Sequence, residues 1–126
     1  MKALLSFIFA FSALILPCTA SGSVKADKAE AFPVTLLSKN KNADGSVTLK
    51  VEPSGVCSRE IEIKAKNGVI LEVYFYGGCP GNTQGVARLV KGMTVKKAIE
   101  TLEGIDCGGR GTSCPDQLTK ALKLLL

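Results

Sequence analysis

Apolar and polar positions alternate through the middle of the chain and then change period. Val47, Leu49 and Val51 are separated by polar residues, the two-residue repeat of a half-buried strand. Ile61, Ile63 and Ala65 repeat it between Glu60 and Lys66, and Asn67-Gly68 follows, the favoured pair for a two-residue hairpin turn. The return segment, Val69 to Tyr76, places Leu71, Val73 and Phe75 on one face and Glu72, Tyr74 and Tyr76 on the other. Asp44-Gly45 marks a turn ahead of the first of these strands, and Val34 to Leu37 is a candidate short edge strand before it. Beyond Gly77-Gly78 the repeat becomes helical. Val86, Leu89 and Val90 suit a helix from Asn82 to Lys91, stopped by Gly92. Thr94 caps a second helix with a stripe of Val95, Ala98, Ile99 and Leu102, ended by Gly104. Pro115 opens a third, with Leu118, Ala121, Leu122 and Leu125 on its apolar face. The expected fold is α+β, a three-stranded antiparallel meander followed by three helices.

The first residues have a different character. Lys2 precedes an apolar run from Ala3 to Leu16, and Cys18-Thr19-Ala20-Ser21-Gly22 supplies small residues. That layout predicts a signal peptide over 1–20, cleaved after Ala20, with Ala29-Glu30-Ala31 as a second small-x-small site. The run is short beside the roughly 20 apolar residues of a membrane span, so no stable span is expected after cleavage. Ile15-Leu16-Pro17 makes a poor lipoprotein box before Cys18. Residues 21–45 are expected to be linker with the candidate edge strand, and 46–126 the folded domain. The expected location is outside the cytoplasm, periplasmic or secreted; a start codon further downstream would leave the protein cytoplasmic. About 100 residues remain after cleavage, a marginal size for a core without a staple.

Charge narrows the partners. Lysine and arginine number 16 against 11 acidic residues in a chain of 126, a net charge of +5. The lysines are scattered and not banked with aromatics, so nucleic acid is not an expected partner. A protein partner of unspecified kind remains.

The chemistry lies in the cysteines. Once Cys18 leaves with the signal segment four remain, Cys57, Cys79, Cys107 and Cys114, each within two residues of a glycine or proline. Cys79-Pro80 and Cys114-Pro115 echo each other at the starts of helices, where free N–H groups and the helix dipole favour a thiolate. Three readings compete. The four thiolates hold zinc or an iron–sulfur cluster, with no histidine to share the work. Alternatively they form two disulfides and staple a binding module without metal. In the third reading, Cys107 and Cys114, within one glycine-rich loop, act as an attacking and resolving redox pair.

Thr112-Ser113-Cys114-Pro115-Asp116 spells the string that names the TSCPD domain family, and the segment from Gly55 onward closely resembles that family. Gly55-Val56-Cys57-Ser58, Gly77-Gly78-Cys79-Pro80-Gly81-Asn82, Leu89-Val90-Lys91-Gly92 and Gly104-Ile105-Asp106-Cys107 stand in the same order. Such domains occur alone and at the C-terminus of adenosylcobalamin-dependent ribonucleoside-diphosphate reductases. The resemblance implies a link to deoxynucleotide synthesis, the supply of DNA precursors, and to oxidoreductase activity. It does not supply the reductase's catalytic barrel, for which the chain is too short, so no catalytic residue is assigned. A weaker resemblance is to iron–sulfur scaffold proteins of the NifU/IscU kind. It implies that fold, and Cys57, Cys79 and Cys114 as cluster or zinc ligands, with Cys107 replacing a missing one; Arg59 and Ser113 depart from the scaffold's aspartate and histidine.

Overall fold

The computed structural model describes residues 31–126. The expected signal segment, Cys18 within it and the linker as far as residue 30 lie outside the described residues. Four strands form one antiparallel sheet in the order of the chain: β1 Thr35–Lys41, β2 Val47–Glu52, β3 Ser58–Lys66 and β4 Val69–Gly77. Three helices complete the domain, α1 Pro80–Val90, α2 Val95–Leu102 and α3 Cys114–Lys123.

The α+β class stands, and the strand count is corrected from three to four. β1 is a full edge strand whose side chains are almost all exposed, and its pairing with β2 is irregular between Leu36 and Ser38. An edge strand with little to bury shows no apolar alternation, so periodicity underestimates it. The tie to β2 is the Asp44-Gly45 turn. Asp44 accepts from the Ser46 N–H at 2.9 Å, and Asn42 N–H donates to Ser46 O at 2.8 Å.

The hairpin at Asn67-Gly68 forms as expected, but β4 carries an irregularity. Lys64 pairs with Glu72 and Ala65 with Ile70, so Leu71 is an extra residue on its strand. The bulge turns Ile70 and Val73 into the core and leaves Leu71 half-buried, which corrects the simple alternation expected there.

One face of the sheet builds the core. Leu49, Val51, Ile61 and Ile63 are fully buried beneath Ala98 of α2 and Leu118, Ala121 and Leu122 of α3. The opposite face satisfies itself with charge. Lys50 reaches Glu60 at 3.3 Å and Glu62 at 3.1 Å, lies 5.5 Å from the Tyr76 ring centre, and Tyr76 donates to Glu62 at 2.9 Å. Beyond α1 the chain returns along the outer edge of β4, where Ile70 N–H donates to Met93 O at 2.9 Å and Gly92 N–H to Ile70 O at 2.8 Å.

Two of the helix starts carry cysteines, and their caps differ. Thr94 caps α2 by accepting from the Lys97 N–H. α3 begins one residue earlier than expected, at Cys114, because Ser113 is its cap and accepts from the Asp116 N–H at 3.1 Å. α1 starts directly after Cys79, whose side chain makes no capping bond. Among the described residues no helix is long and apolar enough to cross a membrane.

Candidate thiolate site

Ser58 pairs with Gly77 at the last rung of the β3–β4 ladder. Cys57 therefore enters β3, and Cys79 leaves β4, at the same end of the sheet. α3 starts beneath them. Cys57 Sγ lies 3.9 Å from Cys79 Sγ and 4.0 Å from Cys114 Sγ. Three of the four expected site residues are thus brought together, with Cys57 as the shared neighbour. Cys57, Cys79 and Cys107 are exposed and Cys114 is buried; all four are free thiols.

Cys107 stands apart. No thiol contact of that kind joins it to the others. Its loop is glycine-rich but tied down. Asp106 accepts from Gly109 N–H at 2.6 Å and from Gly111 N–H at 2.5 Å, and Cys107 N–H donates to Thr112 O at 3.1 Å. The Cys107–Cys114 redox pair expected from their closeness in sequence is not a contact in the fold.

Two glycines let the backbone come this close. A side-chain carbon at Gly55, which holds φ at +72°, would fall 2.5 Å from the Phe32 ring and 3.3 Å from the Thr112 methyl. One at Gly78, with φ at +87°, would meet the Thr83 methyl at 3.0 Å and Ser58 Oγ at 3.4 Å. These contacts explain Gly55 ahead of Cys57 and Gly78 ahead of Cys79.

Beneath the thiols is a buried polar network. Ser58 donates to Cys114 Sγ at 2.8 Å. Asp116 accepts from Thr112 Oγ at 2.7 Å and from Gly104 N–H at 2.9 Å, and pairs with Lys120 at 3.6 Å. Gln117 donates to Thr112 Oγ at 2.9 Å and to Phe32 O at 3.1 Å, and accepts from Ser54 N–H at 3.0 Å. The first turn of α3 is thereby fixed to the loop before β3, to the end of α2 and to the segment before β1.

The thiols influence each other's protons. Burial pushes Cys57 up, but hydrogen bonds from Cys79, Cys114 and the local backbone outweigh it and hold it below the usual thiol range. Cys79 moves the other way, because its hydrogen bond to Cys57 and the Cys57 charge keep its proton on. Of the two exposed thiols, Cys57 is therefore the one that gives up its proton more readily. A shallow groove of about 270 Å³ between β4 and α1 reaches this site through Gly77, Gly78 and Pro80.

A family model for the TSCPD domain matches residues 35–126. The chain belongs to the TSCPD domain family. The match begins at the first residue of β1, the strand that overlaps the candidate edge strand at Val34 to Leu37. No curated protein and no solved structure matches the chain. The likeness to NifU/IscU scaffolds accordingly has no structural match behind it.

Sequence reasoning missed Ser58, Gln117 and Phe32. Ser113-x-x-Asp116 was a readable signal, the pattern of a helix cap three residues before an acidic residue. Nothing local distinguishes Phe32 or Gln117, whose partners lie far along the chain.

Proposed function

We propose that this TSCPD-family protein holds a metal through thiolates, zinc or an iron–sulfur cluster, with Cys57, Cys79 and Cys114 as its centre and Cys107 as fourth donor. The observation that carries the reading is the position of Cys57, at 3.9 and 4.0 Å from two further sulfurs. Bonds of about 2.3 Å to one tetrahedral zinc set sulfur–sulfur edges near 3.8 Å, so both edges already match. Among the described residues no group of three or more cysteine, aspartate, glutamate or histidine side chains is arranged, as it stands, to hold a metal ion. The donor set nevertheless fits a soft, thiolate-seeking ion. The exposed Cys79 and Cys107 side chains supply the adjustment, while the buried Cys114 is fixed. A bound metal would supply cross-linking of β3, β4 and α3. The protein's part is to position Cys114 through Ser113, Ser58 and the Asp116 network. The reductase-linked role in deoxynucleotide supply draws on the family alone and on no feature of this site.

The test is metal analysis beside thiol counting on reduced protein grown with zinc or with iron. One equivalent of zinc, or the absorbance of a cluster, is expected, lost in Cys57→Ser and Cys114→Ser and weakened in Cys107→Ser. Protein that takes up neither metal while all its thiols remain free and reduced would overturn the reading.

A further inference from the structure

Cys57 touches two thiols, and the two contacts differ in access. Cys79 is exposed, follows β4 through Gly77 and Gly78, and borders the open groove beside α1. Cys114 is buried, accepts a hydrogen bond from Ser58 at 2.8 Å, and is locked into the first turn of α3. Cys57 is itself exposed. The solvent-facing contact, at 3.9 Å, therefore lies across the open end of the β3–β4 ladder, between the residue before Ser58 and the second residue after Gly77. A disulfide holds its two sulfurs about 2.05 Å apart, so the two exposed side chains must close a gap of 3.9 Å by roughly 2 Å, a movement on the scale of a side-chain rotation.

We propose that Cys57 and Cys79 are a redox-active pair whose oxidation dismantles the thiolate site, with small-molecule disulfides of the glutathione class as the oxidant. The metal release rests on the thiolate–metal reading; the pairing rests on the geometry alone. In the first step the thiolate of one member attacks a sulfur of the oxidised tripeptide. The tripeptide's S–S bond breaks, a mixed disulfide forms, and one tripeptide thiolate leaves and takes up a proton. The thiolate of the second member then attacks the cysteine sulfur of that mixed disulfide, forming Cys57–Cys79 and releasing the second tripeptide thiol. Two electrons pass from the pair to the oxidant, and one disulfide is exchanged for another with two thiols released. Two donors leave the site in one event. The remaining two, Cys114 and Cys107, have no contact with each other that would keep a metal between them. Cys114 is spared because burial and the Ser58 hydrogen bond screen its sulfur from an incoming disulfide.

Trypsin separates the candidates, since Cys57, Cys79, Cys107 and Cys114 fall in the peptides 51–59, 67–88, 98–110 and 111–120. The metal-free and the zinc-loaded full chain are equilibrated with oxidised and reduced glutathione, alkylated and mapped by mass spectrometry, with free zinc followed by a chelating dye. The expected product joins 51–59 to 67–88, with Cys107 and Cys114 alkylated after unfolding and zinc released in step with the disulfide. Cys107→Ser is expected to give the same map. A main product containing Cys114 or Cys107, or no disulfide in the metal-free chain, would overturn the pairing. Formation of Cys57–Cys79 with zinc still bound would overturn the dismantling. A chain that takes up neither zinc nor a cluster yet yields Cys57–Cys79 refutes the metal reading and supports the pair.

Discussion

Replacing Asp116 by alanine isolates what holds the buried cysteine in place. The carboxylate is 8% exposed and accepts from Thr112 and Gly104 at 2.7 and 2.9 Å, while Lys120, 11% exposed, sits 3.6 Å away. Alanine removes all three partnerships at once. Gly104 is at the surface, so its N–H turns to water at little cost. Thr112 is fully buried, and its hydroxyl proton is left without an acceptor, a loss of about 1–2 kcal/mol. Lys120 keeps its 2.9 Å hydrogen bond to Phe32 O but loses its counter-charge, which places its share below the 3–5 kcal/mol of a broken fully buried pair, at about 1–2 kcal/mol. The sum is about 3 kcal/mol, or a fall of about 15 °C in Tm for a domain of this size. The assay is urea and thermal unfolding of reduced, metal-free protein, so that ligand linkage does not enter. A cycle with Lys120→Met should show coupling of about 1 kcal/mol between the two sites. Because the same network fixes the start of α3, Cys114 in the folded variant should become open to alkylation. A variant within about 0.5 kcal/mol of wild type, inside the usual range for a surface substitution, would refute the argument.

Gly55→Ala combines a left-handed backbone with a 2.5 Å approach to the Phe32 ring, so a loss of about 2–4 kcal/mol is expected in denaturant titrations. Gly85→Ala, in α1 with open space around it, is the control and should be neutral or stabilising; equal losses in both would remove the steric argument. Asp44 is held down from 3.8 to about 2, chiefly by the Ser46 hydroxyl and N–H and then by Lys64. A depressed folded pKa lends stability that is complete above the unfolded value and is lost as pH falls through the folded one. Asp44→Asn should therefore flatten the decline of stability between pH 3.8 and about 2, and an unchanged slope there would contradict the turn's role.

The elements easiest to read in the sequence were those with one buried and one solvated face. Ile61 and Ile63 in β3, and Val95, Ala98 and Ile99 in α2, repeat their burial with the period of their own element, so local pattern located them. β1 was legible only as a short candidate at Val34 to Leu37, because pairing holds it, not burial. The bulge at Leu71 escaped because every residue from Val69 to Leu71 is apolar, and composition there cannot tell which one is the extra. The site divided in the same way. The cysteines and their glycines were visible, but which thiols meet depends on the Ser58–Gly77 rung and on where α3 docks, and α3 docks through contacts across more than 50 residues.

That division bears on the five-residue string that names the family. Thr112 donates to Asp116, Ser113 caps the helix that begins one residue later, and Asp116 receives Thr112 and Gly104 and faces Lys120. Pro115 occupies the first turn, where a missing N–H costs nothing. Four of the five residues therefore serve the fifth, Cys114, by closing a helix start and burying it. Cys57 and Cys79 receive a different treatment, with glycines beside them and solvent in front of them. A site meant only as a staple would gain from burying all its sulfurs alike. One fixed, shielded thiol beside two open ones suits the proposed thiolate centre, with Cys114 keeping its place in the fold while Cys57 and Cys79 exchange partners.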